Sequence, residues 1–440
     1  MNPKYFKIIA LGCRTNQYEA QAYKRQLLAL GYEDLPDDSK QADLCIVNTC
    51  TVTARADADS IRQIRRLAKA NPKARMVVTG CYAQAARDEI ESMEEVDQVV
   101  SNLSKESLIE EIFPKEDVPE FAINAFPGYS RAFVKVQDGC NSFCSYCIIP
   151  YVRGRSRSRA LPGIVSEVKD LIESGYKEVV LTGINIGDFD GGNKKETLSS
   201  LLCALNELEG LERIRFSSID PEDLQSDFID ALMNCEKATP SLHLVLQSGS
   251  DSVLQRMRRK YRSADYKRVV QELRQRNPDF AFSTDVIVGF PGESEEDFQK
   301  TLQFIQEIGF VKVHVFPYST RPGTLAAKYD GLLPSKIISD RKKKLIEFSD
   351  AAFKDYRKRF IGKQMKFLVE ASEKGQYLSG HTDNFLKAYL PKELCRPNEH
   401  LVVELVDDCF EDGFLAEIVS KIESQSAGQA SQSMLQEISS

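Results

Sequence analysis

Six short apolar runs, at residues 132–136, 178–182, 213–217, 242–246, 283–288 and 311–316, recur through the middle of this chain, separated by helical stretches. Repeated strand–helix units bury their apolar faces as a parallel sheet covered by helices. Six of them in one stretch predict a full or partial parallel β/α barrel, with its chemistry at the carboxyl ends of the strands. The loop after the first run holds Cys140, Cys144 and Cys147, the most informative spacing in the sequence.

The same rhythm opens the chain. Residues 5–12 read as a buried strand, a helical stretch runs from about Glu19 to Leu30, and Leu44 to Val47 form a second apolar run ending at Asn48-Thr49-Cys50. A basic helix from about Ala56 to Ala70 then leads to Met76-Val77-Val78-Thr79-Gly80-Cys81. An open, mostly parallel α/β sheet is predicted, and such sheets place ligands beyond the carboxyl ends of their strands. Cys13, Cys50 and Cys81 each follow a strand, so this topology can gather them. Val118 to Ser130, rich in Pro, Asn and Gly, reads as a linker. Beyond the barrel, residues 335–360 are helical and rich in Lys and Arg. Alternating segments at 364–371, 376–380, 386–390, 401–406 and 414–419 predict a small antiparallel β-barrel. The expected division is 1–120, 126–360 and 361–423, followed by a mobile tail at 424–440 that lacks aromatic residues.

With 42% hydrophobic and 28% charged residues, the 440-residue chain has globular composition, not that of a disordered or collagen-like one. Lys and Arg number 58 against 65 Asp and Glu, a net charge of −7, so nucleic acid would have to be held by local basic stripes. The longest apolar runs, such as Val286-Ile287-Val288, fall far short of a membrane span, and Met1 to Lys7 carry no cleavable apolar region. A soluble cytoplasmic protein is expected. Disulfides rarely persist there, so eleven cysteines point to another use. Cys45, Cys203, Cys235, Cys395 and Cys409 stand alone in apolar or amphipathic stretches and read as packing residues.

A 4Fe–4S cube is normally held by four thiolates. Cys140, Cys144 and Cys147 supply three, with no adjacent fourth, which leaves one iron open to an outside ligand. S-adenosylmethionine (SAM) can chelate that iron through its amine and carboxylate. One electron would then break a carbon–sulfur bond and give a 5′-deoxyadenosyl radical. Tyr146 is placed to pack against the adenine. The alternative is structural zinc, but the second Cys/His pair such a site needs is missing. His243, His314, His381 and His400 all lie away from the triplet and read as structural. On spacing alone, the trio of Cys13, Cys50 and Cys81 also fits buried packing.

Gly12-Cys13-Arg14-Thr15-Asn16-Gln17, Asn48-Thr49-Cys50-Thr51-Val52-Thr53, Thr79-Gly80-Cys81 and Gly139-Cys140 through Pro150 together resemble the methylthiotransferases, radical SAM enzymes with two 4Fe–4S clusters. The likeness runs over roughly residues 4–422. It implies an auxiliary cluster on Cys13, Cys50 and Cys81, a central, partial radical SAM barrel and a C-terminal, RNA-binding TRAM-like domain. Thr51-Val52-Thr53 with Ala56-Asp57, the run Arg153 to Arg159, and Leu181 to Gly187 resemble the branch acting on threonylcarbamoyladenosine in tRNA. The implied reaction replaces the hydrogen on carbon 2 of that adenine, 3′ of the anticodon, with a methylthio group. That bond is too inert for acid–base or nucleophilic chemistry, and no general base is assigned. Two molecules of SAM per turnover and a low-potential electron donor are implied, for a monomer that meets tRNA and no membrane. The alternatives are sister branches acting on isopentenyladenosine or a ribosomal-protein aspartate, and a non-catalytic iron–sulfur RNA-binding module. A purely structural cluster would gain from four protein ligands, which argues against the module.

Candidate cofactor contacts follow the barrel strands: Thr182 and Gly183 after the second, Gln247 after the fourth and Gly289 after the fifth. A small residue lets backbone approach the cofactor, though Gly-rich turns occur in every α/β fold. For RNA, Arg153, Arg155, Arg157 and Arg159 place four guanidiniums on one side of an extended segment, suited to phosphate. Arg256, Arg258, Arg259, Lys260 and Arg262 form a second cluster around Tyr261. Arg341 to Lys344 and Arg357 to Arg359 add further basic runs. One such run is commonly a solvated helix face; several beside a barrel mouth point to RNA.

Overall fold

A computed structural model describes residues 4–35 and 40–422. Five parallel strands form the first sheet: β1 (Lys4–Ala10), β2 (Tyr32–Asp34), β3 (Leu44–Thr49), β4 (Arg75–Gly80) and β5 (Gln98–Val99), in the order β2-β1-β3-β4-β5. Strand β3 is buried throughout, as a central parallel strand covered on both faces must be. Its Cys45 and Val47 pack with Ile64 and Leu67 of the helix Ala54–Ala70. Leu44 and Ile46 pack on the other face with Tyr23 and Leu27 of the helix Arg14–Ala29. Strands β1, β3 and β4 are neighbours, so the loops bearing Cys13, Cys50 and Cys81 leave the sheet side by side.

In the middle of the chain, β6 (Ala132–Lys135) leads into β7 (Gln137–Asp138), which pairs antiparallel with β8 (Arg157–Ser158) across the cysteine loop. Then follow β9 (Glu178–Thr182), β10 (Arg213–Phe216), β11 (Ser218–Ile219), β12 (Ser241–Leu244), β13 (Ala281–Val288) and β14 (Lys312–Pro317). Strands β10 and β11 are two halves of one run interrupted at Ser217, and they join the sheet β10-β9-β6 to the sheet β11-β12-β13-β14. The result is an arc of parallel strands, a partial barrel, with no pairing of β6 to β14 among the described residues. One continuous core runs beneath it, with Val134, Leu181, Ile214, Leu244 and Val286 packed among helix residues such as Leu171, Leu205 and Phe304. Among the described residues no helix is long and apolar enough to cross a membrane.

After the helix Ser335–Arg357 come β15 (Gln364–Lys374), β16 (Tyr377–Thr382), β17 (Lys387–Pro391), β18 (His400–Phe410) and β19 (Gly413–Lys421), closed into a ring in the order β15-β16-β17-β19-β18. The expected all-antiparallel barrel is corrected here: β17 and β19 run parallel, with Ala388 opposite Phe414. The reason is arithmetic. An odd number of strands cannot close into a ring with every neighbour antiparallel. The tail expected at 424–440 lies outside the described residues.

Glu178, buried at the start of β9, ties the ring to the barrel. It accepts from Arg215 at 2.7 Å and pairs with Arg213 at 3.0 Å and Arg131 at 3.4 Å. Arg215 also donates to the carbonyls of Thr382 (2.8 Å) and Asp383 (2.9 Å), and Arg131 pairs with Glu370 of the ring at 2.7 Å. Burial would raise the Glu178 carboxyl, but Arg215, Arg213 and Arg131 outweigh it and hold the group well below its ordinary 4.5. Glu178→Gln, which leaves buried guanidiniums without their countercharge, is expected to cost about 3 kcal/mol at pH 7. Because the folded-state value is depressed, this stabilisation is full above the ordinary 4.5 and fades as pH falls below it. Thermal unfolding of both proteins between pH 7 and pH 3 should show the gap in Tm narrowing with acid; a gap independent of pH would refute the account.

Candidate active site

Cys13 caps the helix Arg14–Ala29, Cys50 follows β3 directly, and Cys81 opens the helix Cys81–Ala85. Asn16 fastens two of these loops, donating from Nδ2 to the Leu11 carbonyl at 2.7 Å and the Thr49 carbonyl at 3.0 Å. Gly12 sits at φ +84°, and a Cβ there would lie 2.5 Å from Cys50 Sγ, so only glycine lets the first loop close on the second cysteine. Burial pushes the Cys50 thiol up to about 12, with Cys13 and Cys81 adding to the shift. Cys50 and Cys81 are buried, while Cys13 is exposed.

The second trio lies on the loop between β7 and β8. Cys147 N–H donates to the Cys144 carbonyl at 3.0 Å, and Cys140 N–H to that of Gly154 at 3.2 Å. Ser145 staples the loop to the barrel, its Oγ donating to the Arg256 carbonyl at 2.8 Å. Burial, with Cys144 close by, pushes the Cys147 thiol up to about 12. Gln137 links this loop to the turn after β9: its Nε2 donates to the Gly139 carbonyl (2.7 Å), and its Oε1 accepts from Ile184 and Asn185 N–H at 3.0 Å each.

The proposed cofactor contacts have distinct surroundings. Thr182 is buried, and a Cβ on Gly183 would lie 2.8 Å from Gln137 Oε1, so this glycine serves the loop clamp. Gln247, at φ +65°, bridges to β13 through its backbone, while its buried Oε1 has no hydrogen-bond partner. That orphaned acceptor suits a ligand donor. Gly289 donates to Glu293 Oε2 at 2.7 Å and abuts Ile338. Tyr146 packs against a cluster of Val253, Met257, Phe290 and Tyr318.

Three arginines expected to hold RNA turn inward instead. Arg153 is fully buried. Its Nε donates to Cys81 Sγ at 3.1 Å, its Nη1 to Asp138 (2.8 Å) and Glu19 (3.3 Å), and its Nη2 to Asn16 Oδ1. Arg159 pairs with Glu167 and donates to Tyr18 Oη and the Lys135 carbonyl, both at 2.9 Å. Arg259 is buried, donating to Cys144 Sγ at 3.0 Å and pairing with Asp220. The extended alternation expected from Arg153 onward fails because Ile149–Arg153 is helical, which rotates Arg153 into the protein. Arg155, Arg157, Arg258 and Lys260 are exposed. Two further basic residues are also occupied: Arg341 by Glu293 at 2.7 Å and Arg357 by Asp408 at 3.5 Å.

The inner face of the strand arc, closed on one side by the Cys13 loop, encloses a cavity of about 480 Å³. Cys13, Arg14, Thr182, Ser217, His243 and His314 are among its walls. His381 and His400 have the structural roles expected of them, bound to Glu370 (2.8 Å) and Glu212 (2.6 Å). His243 and His314 also face the cavity: His243 lies 3.3 Å from Asp285, and Asp285 is the cross-strand partner of His314. Sequence reasoning missed them, although polar residues within apolar barrel strands were the available signal. Arg14 was also missed as a wall residue. Its guanidinium lies 5.3 Å from the Phe133 ring, and burial together with Arg131 holds it below the ordinary arginine value.

Removing Arg153 should leave the buried carboxylates of Glu19 and Asp138 one countercharge short, with Lys105 still bound to both. Arg153→Met is expected to cost about 3 kcal/mol of stability while leaving the salt dependence of RNA binding unchanged. Thermal unfolding and filter binding would check both, and a weaker salt dependence at unaltered stability would return Arg153 to the RNA surface.

An arc of parallel strands with a three-cysteine loop after its first strand defines a radical SAM protein, and residues 134–305 match the Radical SAM superfamily model. Residues 5–101 match the model described as Uncharacterized protein family UPF0004. The chain is 46% identical over 415 residues to the threonylcarbamoyladenosine tRNA methylthiotransferase MtaB of Chlamydia pneumoniae, spanning 94% of this chain and 98% of that protein. It is 37% identical to the Thermotoga maritima protein of the same description, over 87% of this chain and 91% of that one. The tRNA-2-methylthio-N(6)-dimethylallyladenosine synthase of Clostridium novyi is 36% identical, over 87% and 90%. Among solved structures, the radical S-adenosylmethionine methyltransferase TsrM from Kitasatospora setae shares the fold, with a TM-score of 0.55 and 16% identity over 74% of this chain and 77% of that one. The chain belongs to the radical SAM tRNA methylthiotransferase family.

Proposed function

We propose that this protein replaces the hydrogen on carbon 2 of N6-threonylcarbamoyladenosine, immediately 3′ of the anticodon in tRNA, with a methylthio group. The observation that carries the reading is the placement of Cys13: one member of the first cysteine trio opens onto the cavity bounded by the barrel strands, whose first member leads into the second trio. Identity of 46% across 94% of the chain supports the substrate branch.

Two donor sets fit iron–sulfur clusters, each three convergent thiols with an arginine donating to one sulfur. Cys140, Cys144 and Cys147 would hold the cluster that works with SAM, and Cys13, Cys50 and Cys81 an auxiliary one. When bound, the first cluster and SAM supply the carbon radical that an inert aromatic C–H bond requires. The chain's own residues orient and enclose. Gln247 offers an unpartnered acceptor, with Tyr146, Thr182, Gly183 and Gly289 bordering the cofactor. Phe316, 41% exposed on the cavity wall, suits stacking of a base splayed from a loop. Arg153 opposes the rise that burial gives the Cys81 thiol, and Arg259 donates to Cys144 Sγ.

Arg155, Arg157, Arg258 and Lys260 are exposed and can reach tRNA phosphates; Arg155 lies 4.3 Å from the Phe143 ring, and Arg157 also donates to the Arg153 carbonyl at 2.8 Å. Neutralising Arg155 and Arg157 to Gln should weaken tRNA binding and lower its salt slope by about two. Unchanged affinity at two ionic strengths would remove both residues from the interface.

Nucleoside mass spectrometry of tRNA from a strain lacking the gene tests the substrate. Loss of the methylthio group from threonylcarbamoyladenosine alone is expected; loss from isopentenyladenosine would transfer the protein to the sister branch. Anaerobically prepared protein should carry about eight irons, and Cys144→Ala should abolish 5′-deoxyadenosine release. About four irons, or cleavage surviving the substitution, would overturn the two-cluster reading.

A further inference from the structure

Three guanidiniums line the cavity, those of Arg14, Arg131 and Arg215. Two are spent on the protein itself: Arg131 on Glu178 and Glu370, Arg215 on Glu178 and the carbonyls of Thr382 and Asp383. Arg14 has no carboxylate partner among the described residues and instead lies over the Phe133 ring. The acid on the cavity wall, Asp285, is engaged by His243 at 3.3 Å. Two hydroxyls on the same wall, Thr15 Oγ1 and Ser217 Oγ, are buried and without hydrogen-bond partners. A spare cation with unpartnered hydroxyls, beside an exposed cysteine, suits a ligand that brings its own anion and hydrogen-bonding groups. A purely hydrocarbon substituent would leave all of them unsatisfied.

Building on the proposed function, we infer that Arg14 is the specificity residue that binds the free carboxylate of the threonylcarbamoyl group. Thr15 and Ser217 are available to its urea and hydroxyl. The fork of two parallel N–H bonds that arginine offers a carboxylate fixes position as well as affinity, and this orients the adenine relative to Cys13. Discrimination then resembles other sites built around a polar substituent: a substrate lacking it is rejected because the site's own polar groups stay unpaired.

The test uses full-length, anaerobically reconstituted enzyme and an anticodon stem-loop bearing threonylcarbamoyladenosine, either as the free acid or as its methyl ester. For the wild type, esterification should weaken binding about ten- to a hundredfold. Arg14→Gln should bind the acid with a similar loss, be nearly indifferent to the ester, and keep its iron content. Arg14→Lys should recover part of the affinity for the acid. Equal affinity of the wild type for acid and ester overturns the inference, and this arm needs no variant to fold. So does an Arg14→Gln protein that still prefers the acid, or one that weakens on both substrates equally, which would assign Arg14 to the neighbouring cysteine site. Failure of the wild type to methylthiolate the acid stem-loop would instead overturn the proposed function.

Discussion

A buried ion cluster around Arg153 holds the two cysteine loops in one frame. Arg153, Lys105 and Lys135 face Glu19, Asp138 and Glu106, three cations against three carboxylates, almost all removed from water. Burying any one of these charges alone would be prohibitive, so each needs the others. Attraction shows in Glu19: burial would raise its carboxyl, yet Lys105, Arg153 and Lys135 bring it down to about 2. The members come from the N-terminal helix, the segment near residue 105, strand β6 and both sides of the radical loop. The sheet and the barrel are therefore joined between the loops that carry the two cysteine trios. A hydrophobic interface could join them as firmly but would not also supply a donor to Cys81 Sγ.

The barrel was readable because strand-length apolar segments alternate with helical stretches, and the six runs lie within two residues of the observed strands, although burial alternates along β12, β13 and β14. Strands β2, β5, β7 and β8, of two or three residues, are too short to carry periodicity. The first helix starts at Arg14 rather than near Glu19, and its opening turn, Arg-Thr-Asn-Gln, was not legible because a polar turn carries no apolar periodicity. Convergence of Cys13, Cys50 and Cys81 followed from strand adjacency once a parallel sheet was assumed. What the residues could not disclose was side-chain direction. Arg153, Arg159 and Arg259 look like their neighbours Arg155, Arg157 and Arg258 in a charge count, and differ by which carboxylate or sulfur the fold brings within reach. Pro150 near the start of the helix Ile149–Arg153 was a usable hint, since proline favours a first helical turn.

The cavity shows the same division. It runs along the inner face of the strands, from Arg131, Ser241 and Ala281 at their starts to Thr182 and Phe316 near their ends, rather than lying only beyond the carboxyl ends, and its chemistry is set by side chains from both flanking bodies. Cys13 and Arg14 arrive from the N-terminal sheet, Ser217, His243, Asp285 and His314 from the barrel, and Phe385 from the C-terminal ring. None of these modules alone carries a complete wall.

Phe385 gives the C-terminal ring a second duty. At φ +69° it projects from the β16–β17 turn, with the guanidiniums of Arg131 and Arg215 lying 5.7 and 5.3 Å from its aromatic face. The ring therefore contributes an aromatic wall to the cavity enclosed by the barrel strands. Deleting the ring would remove that aromatic face and leave the guanidiniums of Arg131 and Arg215 without the cover Phe385 gives them on the cavity side.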